Sequence, residues 1–182
     1  MSELRITGET RMGEIMDTLP GARRALFARY HLGGCSSCAF SNDETLAELC
    51  KRSEDLPVDE VIDHLLASHA HDLEMLVSPA EARARLDSAT PPRLLDIRTR
   101  EEYEAVSVAG SEFFTQELQQ AVFAGDPATV VLLLDHSGRS VLDLVAWFRG
   151  HGLKETYGVN GGIDAWSREV DHSLPRYRVE ME

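Results

Sequence analysis

The sequence predicts an α/β fold, a parallel sheet flanked by helices, preceded by a small all-α unit. Three observations predict it. From residue 73 onward, short apolar strand-like runs alternate with helical stretches, the order expected of a parallel sheet with helices on its faces. One run, Val130 through Leu134, is continuously apolar and suits a central strand covered on both sides. The first ~70 residues instead repeat their apolar positions at helical spacing. Two domains follow, a helical one over 1–70 and an α/β one over 73–182, with the junction at about 70–77.

In the helical domain, Met12, Ile15, Met16 and Leu19 fall on one helix face, and Pro20-Gly21 ends that helix. Ala22, Ala25, Leu26 and Tyr30 mark a second helix, stopped by Gly33-Gly34. Ser41-Asn42-Asp43-Glu44 reads as the capping start of a third helix carrying Leu46, Leu49 and Cys50. Pro57 fits the first turn of a fourth, with Val61, Ile62, Leu65 and Leu66 on its apolar face.

In the α/β domain, Ser78-Pro79-Ala80-Glu81 is a capping box with proline at the first helical position, and Ala82, Leu86 and Ala89 line the helix it opens. Leu94-Leu95-Asp96-Ile97 reads as a buried strand, and Thr99-Arg100-Glu101-Glu102 as a second capping box. After the Val130–Leu134 strand comes a tight polar loop, Asp135-His136-Ser137-Gly138-Arg139-Ser140. A helix follows from Val141 to near Gly150 or Gly152, then a strand over Glu155–Val159 and a turn at Gly161-Gly162.

Charge and hydropathy exclude some functions. A net charge of -13 argues against general binding of nucleic-acid phosphates and against anionic membrane surfaces. No apolar run approaches the ~18–20 residues of a membrane span. Met1-Ser2-Glu3-Leu4-Arg5 has neither the basic flank nor the apolar stretch of a signal peptide, so the expected location is the cytoplasm.

The chain has 3 cysteines, and two of them form Cys35-Ser36-Ser37-Cys38 behind the two glycines. Thiols at that spacing can close a disulfide or ligate a metal, and in a reducing compartment they point to redox or metal chemistry. A following helix N-terminus would lower a thiol pKa. Cys35 and Cys38 are therefore the candidate catalytic residues, with Cys35 attacking and Cys38 resolving. His31 and Cys50 would complete a four-ligand zinc set, but Cys50 shares a periodic face with Leu46 and Leu49 and reads as core. Two chains could instead pool their pairs into a four-thiolate site for zinc or iron–sulfur. His64, His69 and His71 suit a helix C-terminus better than a metal site. Asp135 and His136 have no evident acid/base partner, Asp96 and Arg98 read as structural, and Trp166 as core.

Three segments carry a resemblance. Leu94-Leu95-Asp96-Ile97-Arg98 with Glu101-Glu102-Tyr103, the strand–loop–helix around Gly138-Arg139-Ser140, and Gly158-Val159-Asn160-Gly161-Gly162-Ile163-Asp164-Ala165-Trp166 together resemble a rhodanese-like domain over about 73–178. One segment departs, Ala105-Val106-Ser107-Val108-Ala109-Gly110, where that family has Gly-His-Ile-Pro-Gly. The resemblance implies a loop whose backbone N–H groups cradle a cysteine thiolate or persulfide. Anchoring on Gly138 puts Asp135 at the nucleophile position, one residue short of the family's loop; anchoring on Arg139 puts Leu134 there. Neither side chain holds sulfane sulfur, so thiosulfate sulfurtransferase activity is not expected of a loop that, with Arg139, is read as an anion-binding remnant, residues Asp135, His136, Ser137, Gly138, Arg139 and Ser140. Ile6-Thr7, Met12-Gly13-Glu14-Ile15, Tyr30-His31-Leu32, the Cys pair and Glu44-Thr45-Leu46 resemble the small helical domain associated with hybrid-cluster proteins.

The expectation is a thiol-redox or sulfur-handling protein that acts through Cys35 and Cys38. The rhodanese-like domain serves it as a recognition module for a thiol or sulfur-transfer protein. No resident cofactor is expected, and a homodimer is among the arrangements considered. The alternatives are an interaction module without turnover and a metal or cluster site bridging a dimer.

Overall fold

The computed structural model describes residues 5–34 and 39–177. The chain divides into two compact units, Met1–Leu73 and Glu74–Glu182.

The first unit is helical: α1 Met12–Thr18, α2 Ala22–Tyr30, α3 Leu46–Arg52 and α4 Val58–Leu73. The stripe read from the sequence is its core, with Met12, Ile15, Leu19, Leu26, Leu46, Leu49, Val61 and Leu65 all buried in one cluster. Two helix starts differ from the sequence reading. The cap of α3 is Thr45, whose hydroxyl accepts the Glu48 N–H while the Glu48 carboxylate accepts the Thr45 N–H at 2.9 Å. This reciprocal box outcompetes Ser41-Asn42-Asp43-Glu44, where the Ser41 hydroxyl accepts the Asp43 N–H to form a turn ahead of the helix. Pro57 stands one step before α4, and its carbonyl accepts the Val61 N–H at 3.1 Å, the first bond of that helix.

The second unit runs β1 Leu76–Val77, α5 Pro79–Leu86, β2 Arg93–Asp96, α6 Arg100–Ala105, β3 Glu112–Phe113, α7 Gln116–Phe123, β4 Val131–Leu134, α8 Val141–Gly150, β5 Thr156–Val159 and α9 Gly162–Glu169. Its strands form one sheet in the order β1-β5-β4-β2-β3, and every pairing is parallel. All four residues of β4 are fully buried, as expected of a strand flanked on both edges and both faces. The two-residue side-chain period of β2 and β4 sorts their leucines: Leu94, Leu132 and Leu134 pack with Ile163 and Trp166 on one face. Leu95, Val131 and Leu133 pack with Val141, Val145 and Phe148 on the other.

The Thr99 box closes in both directions, but at Ser78 only the hydroxyl half is made, because Glu81 turns to Arg85 at 2.6 Å. Ala89 lies past the end of α5. The sequence reading did not include β1, β3 or α7. Loop 135–140 leaves the C-terminal end of β4 and joins it to α8. No helix among the described residues is long and apolar enough to cross a membrane.

Candidate functional site

The site is built on the turn that follows β4. Leu134 ends the strand inside the core and is fully buried beside Leu132, Ile163 and Trp166. The next side chain, Asp135, folds back over its own loop and is only 5% exposed. Its Oδ1 accepts the Gly138 N–H at 2.5 Å, and its Oδ2 accepts the N–H groups of Ser140 at 2.9 Å and Val141 at 3.1 Å. Three converging backbone N–H groups make an anion cradle. Val141 is also the first residue of α8, so the carboxylate sits at the positive end of that helix. Of the two residues that alignment offers at the loop's first position, it is Asp135 whose side chain fills the cradle. Burial pushes the Asp135 carboxyl above the usual carboxylate range, and the three N–H donors oppose that rise without cancelling it.

The Gly161-Gly162 turn fixes this loop from below. The Ile163 N–H donates to the Asp135 carbonyl at 2.9 Å and the Asp164 N–H to the His136 carbonyl at 3.1 Å. Gly162 has φ +59, and a Cβ there would meet the Asp135 carbonyl oxygen at 2.5 Å. Gly138 has φ +80, and its Cβ would lie 2.4 Å from the Gly161 nitrogen. Glycine is required at both positions by the closeness of two backbones as well as by their left-handed conformations.

Beside the loop lies a cavity of about 460 Å³ lined by His136, Asp164, Arg176 and Tyr177. Its inner wall is a charged chain anchored in the core. Arg98, 1% exposed at its side chain, donates to both carboxylate oxygens of fully buried Asp96, at 2.8 and 2.5 Å. The same guanidinium donates to the Val106 carbonyl and to the Tyr177 hydroxyl, each at 2.6 Å. The Tyr177 hydroxyl donates to Glu102 Oε1 at 2.7 Å. Burial, with Glu102 accepting from the hydroxyl, pushes the Tyr177 phenol up to about 12. Glu102 is raised by burial, but its bonds from Tyr177 and Thr99 outweigh that and hold it below its ordinary value. The His136 ring packs on Tyr177 at 4.7 Å between centroids, and its buried Nδ1 has no hydrogen-bond partner among the described residues and lies 4.0 Å from Glu102 Oε1. Asp164 is held by Arg176 at 2.7 and 3.2 Å and by Arg168 at 3.4 Å.

Asp135 and His136 thus answer to different partners, the first to the loop backbone and the second to Tyr177 and Glu102. Ser137 and Arg139 are exposed on the outer side of the loop. Asp96 and Arg98 tie the end of β2 to the segment around Val106, and Trp166 is core. Tyr177, Asp164 and Arg176 were not among the sequence candidates; Tyr177 meets Arg98 and Glu102 across 79 and 75 residues of chain, which no local pattern encodes.

In the helical unit, Cys35 and Cys38 lie outside the described residues. Cys50 is 1% exposed in the core, where burial pushes its thiol up. His31 ends α2 in a left-handed conformation, φ 55, and His64 Nε2 lies 3.0 Å from the Ala25 carbonyl. Among the described residues no three His, Cys, Asp or Glu side chains are grouped to hold a metal ion.

The rhodanese-like domain model matches residues 78–169, half of the chain. The chain belongs to the rhodanese-like domain family. The chain is 31% identical over 91 residues to the rhodanese-like/PpiC domain-containing protein 12, chloroplastic, of Arabidopsis thaliana. That match covers 47% of this chain and 30% of the plant protein, so the chain spans less than a third of that relative. A rhodanese-like domain protein from Staphylococcus aureus is similar with 17% identity and a TM-score of 0.46, covering 57% of this chain and 98% of that one. A human single domain sulfurtransferase, TSTD1, is similar with 21% identity and a TM-score of 0.44, covering 52% and 96%. The rhodanese-like stretch of this chain contains no cysteine, since its three are Cys35, Cys38 and Cys50.

Proposed function

We propose that this is a cytoplasmic sulfur-handling protein in which the rhodanese-like domain recognises a partner and does not itself carry sulfur. The thiol chemistry belongs to Cys35 and Cys38. The observation that carries the first half is the Asp135 carboxylate in the loop cradle, where it takes the Gly138, Ser140 and Val141 N–H groups. A sulfurtransferase loop spends such donors on a thiolate or persulfide. Here they are taken by a carboxyl group that has no sulfur to exchange. The cavity lined by His136, Asp164, Arg176 and Tyr177 remains as a recognition surface next to that filled cradle.

The second half follows from what the chain has left. Cys50 is buried in the core, which leaves Cys35 and Cys38 as the two other cysteines of the sequence. The step is thiol–disulfide exchange with a protein disulfide. The Cys35 thiolate attacks one sulfur of the partner's disulfide, forming a mixed disulfide and releasing one partner thiolate. Cys38, as thiolate, then attacks the Cys35 sulfur, closing the Cys35–Cys38 disulfide and releasing the second partner thiolate. The partner gains two electrons and the pair loses two; the protons that leave the two cysteines reappear on the partner's thiols.

A thiosulfate-to-cyanide transfer assay on the full chain and on the C35S/C38S double variant tests the reading. The C35S/C38S protein is expected to be inactive, and disulfide exchange is expected to vanish with it. Sulfur transfer that survives loss of both cysteines would place turnover in the rhodanese-like loop and overturn the proposal.

A further inference from the structure

The helical unit carries a cavity of its own, used neither by the dithiol chemistry nor by the loop after β4. It has a volume of about 580 Å³ and is walled by Arg29, Tyr30 and His31 where α2 ends and by Arg52 and Glu54 where α3 ends. That volume is in the range of small-molecule sites. Leu32 and Leu56 give it apolar wall as well.

Two independent unfavourable features meet at this cavity. The first is in the backbone. Among the described residues, His31, Glu54 and Asp55 are the non-glycine positions with left-handed backbone, at φ 55, 60 and 59. His31 and Glu54 both line the cavity, and Asp55 follows Glu54. The cap of α2 accounts for His31, whose N–H donates to the Phe27 carbonyl at 3.0 Å. Ending α3 needs one left-handed residue at most, and two stand there in succession. Such backbone is unfavourable for a residue with a Cβ, and it concentrates where ligands are held. The second feature is polar. The Tyr30 hydroxyl is buried and has no hydrogen-bond partner among the described residues. Buried polar groups in that condition are rare and each calls for an explanation. Side chains at binding surfaces commonly shift when a partner arrives, so a ligand oxygen in the cavity can accept the Tyr30 hydrogen bond.

Charge on the walls selects the ligand. The chain has 18 Lys and Arg against 31 Asp and Glu, yet this cavity has two arginines and a histidine against one acid. Arg29 lies over the Tyr30 ring, 5.4 Å from the centroid, and pairs with Glu60 at 2.5 Å. Those two side chains are 48% and 51% exposed. An ion pair so exposed is weak, and it leaves the guanidinium able to share its other donors with a second anion. Arg52 is bidentate to Glu44 at 2.5 and 2.9 Å, so Arg29 is the arginine assigned to direct contact.

We propose that this cavity binds a small organic anion with an apolar body, its charged group held by Arg29 and the Tyr30 hydroxyl. Such a site works whether or not Cys35 and Cys38 exchange disulfides.

Benzoate is the probe and benzamide its neutral counterpart of the same shape, titrated into the full chain and followed by saturation-transfer NMR. Benzoate is expected to bind saturably and benzamide more weakly. R29Q removes an exposed charge at little loss of stability and is expected to bring benzoate down to the affinity of benzamide. Y30F removes the hydroxyl alone and is expected to weaken benzoate roughly two- to tenfold, the worth of one hydrogen bond. The urea midpoint of the free Y30F protein, by far-ultraviolet circular dichroism, should be unchanged or higher, because an unpartnered hydroxyl has no bond to lose. Absence of saturable benzoate binding, equal affinity for the two probes, or affinity untouched by either substitution overturns the inference. A lower urea midpoint for Y30F overturns it too, since the hydroxyl would then be making a structural bond.

Discussion

The Asp135 carboxylate accepts the backbone N–H of Ser140 at 2.9 Å, so the first residue of the loop after β4 is bonded to the last. With the bonds to Gly138 and Val141, one side chain satisfies three donors that the turn would otherwise bury unpaired. An asparagine of the same size offers a single acceptor oxygen and turns an NH₂ group toward an N–H. D135N is therefore expected to lose about 1–3 kcal/mol, the usual cost of leaving buried donors unsatisfied. The two tryptophans, Trp147 and Trp166, both belong to the second unit, so tryptophan fluorescence in urea reports this unit directly. An unchanged urea midpoint would mean that the cradle is held by the surrounding backbone alone.

The Asp96–Arg98 pair makes a second prediction by contrast with a neighbour. Both side chains are buried, and Arg98 has four acceptors in Asp96, Val106 and Tyr177. R98M leaves the Asp96 charge buried without compensation, which costs about 3–5 kcal/mol. Arg93 pairs with Glu112 at 2.9 and 2.7 Å in an equally bidentate way, but those side chains are 33% and 41% exposed. R93M is expected to cost no more than about 1 kcal/mol. Equal losses in the two variants, by urea unfolding, would show that burial is not what distinguishes the pairs.

How far the sequence reaches is set by the range of each interaction. The Met12–Ile15–Leu19 stripe, the Thr99 box and the apolar run of β4 are written in residues at most seven apart, and each is found where local spacing puts it. Edge strands β1 and β3 are two residues long, too short to show a period of two. Helix α7 is capped by Thr115, but its third residue is Leu118 where a box would have glutamate, and its buried face is Val122 alone. At the site, the loop and the two glycines after Asn160 are visible in the sequence, whereas the Tyr177 hydroxyl between Arg98 and Glu102 is a product of tertiary folding. The filling of the cradle by Asp135 needed three backbone directions that residue identity does not specify.

Acid stability should follow from which carboxyls are held low. Arg93 lowers Glu112, Arg52 lowers Glu44 and Arg176 lowers Asp164. Each contributes stability that is fully present above its unfolded pKa, 4.5 for glutamate and 3.8 for aspartate, and that is lost as pH falls through the folded value. Asp135 runs the other way, because burial raises it: its contribution is present below 3.8 and is lost as pH rises through its folded pKa. Unfolding free energy should therefore fall between roughly pH 5 and 3, less steeply than the lowered groups alone dictate. E112Q is expected to flatten that slope and D135N to steepen it, in urea titrations monitored at several pH values. A D135N slope shallower than that of the unmodified protein would reverse the sign assigned to Asp135.

The cradle itself can be separated from the residue that fills it by putting a thiol there. D135C in a C35S/C38S background leaves one other cysteine, Cys50, which is 1% exposed and whose thiol is pushed up by burial, so alkylation at neutral pH reports the new side chain. The Gly138, Ser140 and Val141 N–H groups and the N-terminus of α8 then face a sulfur in place of two oxygens. Each of these favours the charged form, so the introduced thiol should titrate below ~8.5 and react with iodoacetamide faster than a free thiol at pH 7. Buried surroundings act in the opposite direction, as they do on Asp135, and the sign of the shift decides which wins. A lowered pKa together with no transfer from thiosulfate would mean that the donor set is intact and that the loop, one residue short, fails to admit the sulfur donor. A pKa at or above 8.5 would mean that the three N–H groups are arranged for the two oxygens of a carboxylate and do not stabilise a thiolate.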